Sequence, residues 1–284
     1  MMIALSVNSV YTTGQVVCTL PEGEWVHGVT SLAGKIYLLR ERDCDQVEVY
    51  DVETYSLQRR LHVKNYGRLN DLTSCEHHRY IYFADDHNTS ILKLDVERVS
   101  LTRWDVHDTP CGLSVNAAHN LLVTCPLARK IKEFDSGGKL LHELALPDGV
   151  IHPWHTIQTP AATKFIVCYG GSDDAIRGVC VISTDDFRVV DSHGGQAGSG
   201  NGQYKVPRHL AVDDNGFVFA VDLFNRRVTL LSPTLEYFRQ IVSLDQLKGW
   251  PDKLHLDAQR RLLYVADNES RTMSSSGRVA VFRV

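Results

Sequence analysis

Apolar residues along the chain fall in short runs: Ile36-Tyr37-Leu38-Leu39, Tyr80-Ile81-Tyr82-Phe83, Leu121-Leu122-Val123, Phe165-Ile166-Val167-Cys168, Phe217-Val218-Phe219-Ala220-Val221 and Leu262-Leu263-Tyr264-Val265. They are rich in β-branched and aromatic residues, and turn formers such as Asp214-Asn215-Gly216 bound them, so they predict strands. Only Asp245 to Leu247 suggests a helical turn. Short strands at close spacing from end to end predict an all-β sandwich, barrel or propeller.

The runs are also self-similar. Val206-Pro207-Arg208-His209-Leu210 lines up with Trp250-Pro251-Asp252-Lys253-Leu254 and Thr109-Pro110-Cys111-Gly112-Leu113. Arg68 to Leu72, His152 to Ile157 and Trp25 to Val29 join the column less tightly. Six units recur at roughly 40 to 50 residues, the period of four-stranded propeller blades. The expected blades are 25–64, 66–107, 109–147, 152–194, 204–243 and 249–284, the last completed by residues from 1–20. The sixth unit runs out after its third strand, Arg278 to Val284, and Gln15 to Leu20 is the expected fourth. Such a split blade ties the two ends of the polypeptide together and removes exposed edges. Ile3 to Val7 competes for a place in the same blade.

Composition narrows the function classes. With 30 basic and 34 acidic residues among 284, the formal net charge is −4, which argues against bulk electrostatic binding of nucleic acid. No apolar stretch approaches a membrane span, so no membrane partner is expected. The N-terminus does not read as a signal peptide. The 7 cysteines are odd in number and none is spaced C-x-x-C, so a reducing, cytoplasmic location is expected. The glycine-rich stretch Gly194 to Gly202 lacks the Lys-Ser/Thr of a phosphate loop and reads as a flexible connector between blades. Ser274-Ser275-Ser276-Gly277 reads as a loop before the last strand.

Gly194 to Pro207, His209 to Gly216 and Val221 to Val228 together resemble one complete NHL repeat. Ala84 to Asn88 and Val265 to Asn268 match it in part. The resemblance, closest in kind to the C-terminal NHL domain of tripartite-motif proteins, implies a six-bladed β-propeller of four-stranded antiparallel blades. It also implies an interaction module, often the C-terminal end of ubiquitin ligases. No RING, B-box or coiled-coil pattern occurs in these 284 residues, so ligase activity would need a longer parent protein. The repeated carboxylates Asp85, Asp222 and Asp267 read as loop caps and partners of Arg227-like neighbours.

Strand direction gathers the residues before first strands and those between second and third strands at one end of the ring. Three functions compete for that face. A protein or peptide partner is favoured by Trp154, Tyr169, Arg208, Phe224, Arg226 and Trp250, the residue types that dominate interface hot spots. Arg42 from the same loops belongs with them, and Trp25 and Trp250 occupy equivalent positions that also suit packing between blades. No catalytic residue and no cofactor is assigned on this reading.

A metal-dependent lyase or hydrolase is the second function. It would use His27 and His155 in one repeat column with Asn70 and Asp252, and His209 one position along, to hold zinc or, through acid and amide ligands, calcium. Amidating lyases and calcium-dependent lactonases of similar fold set the pattern. RNA is the third partner, through Arg129-Lys130-Ile131-Lys132, Arg208 and Arg226-Arg227, although Asp85, Asp86, Asp173, Asp174, Asp267 and Glu269 interrupt that stripe.

Overall fold

The computed structural model describes residues 11–40, 46–63, 67–271 and 274–284. Six sheets of four antiparallel strands follow one another around a ring. Blade 1 is built from Val26–Leu32, Lys35–Arg40, Gln46–Asp51 and Leu57–His62, and blade 2 from Leu69–Cys75, Tyr80–Asp85, Ser90–Asp95 and Ser100–Asp105. Blade 3 holds Gly112–Val115, Leu121–Cys125, Lys130–Phe134 and Leu140–Ala145; blade 4 holds Pro153–Gln158, Lys164–Tyr169, Ile176–Ser183 and Val189–Gln196. Blade 5 comprises Pro207–Val212, Val218–Asp222, Arg227–Leu231 and Tyr237–Val242. Blade 6 takes Trp250–Asp257, Leu262–Arg271 and Ser274–Arg283 from the C-terminal part of the sequence and Gln15–Thr19 from the N-terminal part. The inner strands touch one another in sequence, blade 6 meeting blade 1, which makes the ring a six-bladed β-propeller.

The apolar runs of the sequence are the second strands, buried along nearly their whole length. Each is covered on both faces by neighbouring blades, so it has no reason to alternate. Outer strands such as Leu57–His62 and Ser100–Asp105 are mostly exposed and correspondingly polar. The core is therefore divided into six apolar layers, each shared by two adjacent blades. One layer packs Phe219, Val228 and Leu230 of blade 5 against Leu263, Val265 and Phe282 of blade 6.

The repeated aspartates are staples. Asp222 accepts the backbone N–H groups of Lys205 and Val206 at 3.0 and 3.2 Å and the side chains of Asn225 and Arg227 at 2.6 and 3.2 Å. Asp267 accepts the N–H groups of Lys248 and Gly249 and the Arg278 side chain. Asp85 does the same with Gly67, Asn88 and Arg103. Each ties the end of a second strand to the segment entering its own first strand.

Two loop expectations are corrected. Gly194 and Gly195 belong to the outer strand of blade 4, where Gly194 faces Gly178; a Cβ at Gly178 would lie 2.4 Å from the His193 carbonyl oxygen. Ser274, Ser275 and Ser276 extend the last hairpin as strand, opposite Arg271, Ser270 and Glu269. A 3-10 turn at Leu244–Gln246 stands where the helical turn was expected. Ile3 to Val7, Glu41 and Arg42 lie outside the described residues. Among the described residues no helix is long and apolar enough to cross a membrane.

Candidate functional site

Inner strands carry a shared irregularity. In blades 1, 2, 4, 5 and 6 the pairing with the second strand slips near the start, between Val26 and Gly28, Leu69 and Asp71, Pro153 and His155, Pro207 and Leu210, and Pro251 and Leu254. A bulge of this kind inserts an unpaired residue and re-aims its side chain. The register places His27, Asn70, Trp154, Arg208 and Asp252 in one ring, with Cys111 as the blade 3 equivalent. Gly28, Asp71, Gly112, His155, His209 and Lys253 form the next ring inward. His155 therefore belongs beside His209, not beside His27: Pro153 takes the place of Val26 and Pro207 before the bulge, so Trp154 is the residue equivalent to His27 and Arg208.

The outer ring opens into a cavity of about 450 Å³ lined by Trp25, His27, Asn70, Arg208, Leu223, Phe224, Trp250 and Asp252. Arg208 is fixed from two directions. Its guanidinium carbon lies 3.9 Å from the centre of the Trp154 ring, and its Nε donates to Asp252 Oδ1 at 3.0 Å. Trp154 is itself held by its indole N–H, which donates to the Gly170 carbonyl at 3.0 Å. Burial works to discharge Arg208, but the Asp252 carboxylate outweighs it and raises the pKa further. Burial likewise pushes the Asp252 carboxyl up, and Arg208 and Lys253 together pull it below its ordinary value. Both groups are charged at neutral pH.

The inner ring is a sealed polar plug. Asp71 accepts the Leu113 N–H at 2.9 Å and faces Lys253 Nζ at 3.3 Å and His209 Nε2 at 3.5 Å. Burial would raise the Asp71 carboxyl, but Lys253 and then His209 reverse that and hold it low. His155 Nε2 donates to the Leu113 carbonyl at 2.9 Å, which leaves Nδ1 unprotonated and without a partner. The His155 and His209 rings stack at 3.7 Å and 28°. Burial lowers both imidazole pKa values; the neighbouring His209 lowers that of His155 further, whereas Asp71 opposes the shift of His209. Gly112 makes room for this stack, since a Cβ there would sit 2.4 Å from the Trp154 carbonyl oxygen and 2.8 Å from the His155 Cα.

Asp71, His155 and His209 are the one group among the described residues whose ligand atoms all lie within 4.8 Å of one another. His27 and Asp252 sit one ring outward and do not join them. The donor set fits a metal poorly as it stands. Stacked imidazoles direct their in-plane lone pairs side by side rather than toward one point, and the Lys253 ammonium occupies the cation side of Asp71.

Of the proposed contact residues, the structure brings Arg208, Phe224 and Trp250 to the cavity, with Trp154 behind Arg208. Phe224 rides on the 3-10 turn Leu223–Asn225 and is 47% exposed. Arg226 ends that turn and spends its guanidinium on the carbonyls of Gly249 and Leu247, at 2.7 and 2.9 Å. Tyr169 is buried in the apolar layer between blades 3 and 4, away from the cavity. Trp25, Asn70 and Leu223 line the cavity although the sequence did not single them out as contacts. The equivalence of Trp25 with Trp250 was the signal that could have found the first.

The basic residues considered for RNA are already engaged, Arg226 with two backbone carbonyls and the others in ion pairs. Lys132 is buried against Asp108 and Glu143, Lys130 bonds Glu143 at 2.7 Å, and Arg227 pairs with Asp222 at 3.2 Å.

A second polar cavity, of about 430 Å³, lies where the inner strands of blades 1, 2 and 6 end, and is lined by Ser31, Ser74, Glu76, His255 and Asp257 among others. A cavity of about 740 Å³ on blade 1 is bounded by Arg40, Glu48 and Arg60, whose charges are already paired.

No family model matches the sequence, and no curated protein does either. Solved structures do. Hydrazine synthase from Kuenenia stuttgartiensis superposes with a TM-score of 0.64 at 13% identity, covering 95% of this protein and 99% of that one. The Swd1 β-propeller domain from Myceliophteria thermophila gives 0.63 at 12%, with the same coverage. A catalytically inactive histidine-to-alanine variant of virginiamycin B lyase from Staphylococcus aureus, with quinupristin, gives 0.62 at 10%, covering 94% and 98%. At these identities the likeness is one of fold. It extends to enzymes as well as to other propellers and selects no function.

Proposed function

We propose that the protein is an interaction propeller of NHL type that captures a polypeptide segment at the mouth of its funnel. One observation carries this reading: the cavity joins Trp25, Phe224 and Trp250 to a guanidinium that is immobilised before any partner arrives. Rigid aromatic and arginine side chains bind with little loss of conformational freedom, which is why such residues dominate interface hot spots. The cavity holds more than one side chain, and Phe224, half-exposed at the rim, offers a contact to a partner that extends beyond it. Of the groups suited to acid–base work, His155, His209 and Asp71 are buried beneath the cavity; His27 and Asp252 line it, and Asp252 is committed to Arg208.

The reading is tested by panning the protein against a random-peptide display library. Enriched peptides should bind the wild type and lose about tenfold or more in affinity to Phe224→Ala or Trp250→Ala. Peptides that bind both variants as well as the wild type would place the site elsewhere.

A histidine-held metal centre remains as a second reading because Asp71, His155 and His209 converge with unpartnered nitrogens. It requires the two rings to unstack and Lys253 to move away. Elemental analysis of tag-free protein separates the readings: stoichiometric zinc or calcium that disappears in His209→Ala would favour the enzyme.

A further inference from the structure

Resting on the funnel-binding reading, we infer that the captured segment presents a carboxylate, and that Arg208 is the residue that selects it. The arrangement of Arg208 leaves only one direction for a ligand. Its face is covered by Trp154 at 3.9 Å, and its Nε is spent on Asp252 at 3.0 Å. The terminal Nη groups donate to no protein acceptor among the described residues, yet the side chain retains only 19% exposure and lines the cavity. A guanidinium held this way offers its remaining donors as a fork, the geometry that matches the two oxygens of a carboxylate. Trp25, Leu223, Phe224 and Trp250 form the apolar part of the lining, beside the polar His27, Asn70 and Asp252, so the carboxylate is expected to come attached to an apolar or aromatic group.

Charge points the same way. Within the two rings, Arg208 and Lys253 are balanced by Asp252 and Asp71, each carboxylate being held ionised by its basic neighbours. A cationic ligand would compete with Lys253 and Arg208 for the same two carboxylates. An anion adds one charge against the open side of Arg208 without dismantling either pair. The carboxylate can come from the free C-terminus of a polypeptide or from an Asp or Glu side chain; the chemistry read by Arg208 is the same.

Heptapeptide arrays separate these sources. One array carries a free C-terminal acid and no Asp or Glu; a second is amidated with one Asp beside an aromatic residue; a third is amidated and carries no carboxylate. The expected result is binding in the first or second array only. It should weaken about 10- to 100-fold in Arg208→Gln, the range for losing a charge-assisted hydrogen bond. Arg208→Lys keeps the charge and should restore only part of the affinity, because an ammonium cannot form the fork. The comparison between arrays uses wild-type protein and does not depend on either variant folding. Equal binding of the third array, abolished by Phe224→Ala, would overturn the carboxylate inference and leave the funnel reading standing. Binding that ignores Phe224→Ala in all three arrays would overturn both.

Discussion

The Arg208 guanidinium carbon sits over the Trp154 ring, 3.9 Å from its centre, while the same side chain bonds Asp252 of the next blade. Three consecutive blades, 4, 5 and 6, thus meet at one guanidinium. Their relative positions around the funnel are set by this contact as well as by the apolar layers behind it. The consequence is measurable as stability. Arg208→Met leaves Asp252 buried with Lys253 and His27 as its remaining basic neighbours and should destabilise the fold by about 3 kcal/mol, as expected for breaking a buried pair from one side. The double variant Arg208→Met with Asp252→Asn should recover much of that loss. Urea denaturation of the four members of the cycle measures the coupling, and additive losses would show that the pair contributes nothing.

Gly112 gives a sharper structural test. Its missing Cβ is the space in which the Trp154 carbonyl and His155 sit, with backbone atoms at 2.4 and 2.8 Å that no side-chain rotation can move. Gly112→Ala must push the inner strands of blades 3 and 4 apart and disturb the stack on His209. A loss of about 2 kcal/mol or more is expected, in the upper range for overpacking. Gly149→Ala serves as the control, since nothing lies within 4 Å of that Cβ. It should stay within about 0.5 kcal/mol of the wild type. Equal denaturation midpoints for the two variants would contradict the close packing of the inner ring.

The fold was legible because each blade writes it into the sequence separately. Runs such as Phe217 to Val221 are continuous where blades cover both faces, and Asp222 or Asp267 marks where each run ends. The site was only half legible. Arg208, Phe224 and Trp250 stood out by residue type, but whether a guanidinium is free depends on its partners: Arg226 is consumed by two carbonyls and Arg208 is not. Tyr169 has the composition of a contact and the position of a core residue. The histidine column slid by one because Pro153, not Trp154, is the counterpart of Val26 and Pro207 at the bulge, which makes Trp154 the equivalent of His27.

Ring closure should depend on a single buried hydroxyl in the N-terminal segment. Tyr11 packs edge-on against Phe217 and Phe219 of blade 5, and its hydroxyl donates to Asp213 Oδ2 at 2.6 Å. Gly14 then bonds the Ile241 carbonyl at 2.8 Å before the backbone enters blade 6 as Gln15–Thr19. Tyr11→Phe keeps the rings and removes only the hydroxyl. It should cost about 2 kcal/mol, the range for a hydrogen bond to a charged group, and should raise proteolysis of the N-terminal strand. An unchanged denaturation midpoint would mean that Asp213 is satisfied by its own loop, through Asn215 and Phe217.

The opposite end of the channel predicts an acid-sensitive fold. His255 Nε2 lies 2.9 Å from Ser31 Oγ and Nδ1 lies 3.4 Å from Thr30 Oγ1. Ser74 donates its single hydroxyl proton to the Ser31 carbonyl at 2.8 Å, so in the 2.8 Å contact between Thr30 and Ser74 the donor must be Thr30. Thr30 can therefore only accept from His255 Nδ1–H, while Ser31, whose hydroxyl also reaches Asp257 Oδ2 at 3.5 Å, donates to Nε2 or accepts from it. Burial lowers the His255 pKa to about 4, and the shifts of His155 and His209 have the same direction. In the unfolded protein these imidazoles titrate near their ordinary value of about 6.5. Between about 6.5 and 4 the unfolded state binds protons that the native state refuses, so stability is full above that window and falls as the pH drops through it. His255 alone accounts for up to about 3 kcal/mol of that fall. Urea midpoints measured from pH 7 to pH 4 should decline, and His255→Gln should flatten the slope while lowering the plateau at pH 7. A wild-type midpoint that holds constant across the window would show that the three imidazoles protonate as readily in the folded protein as in the unfolded one.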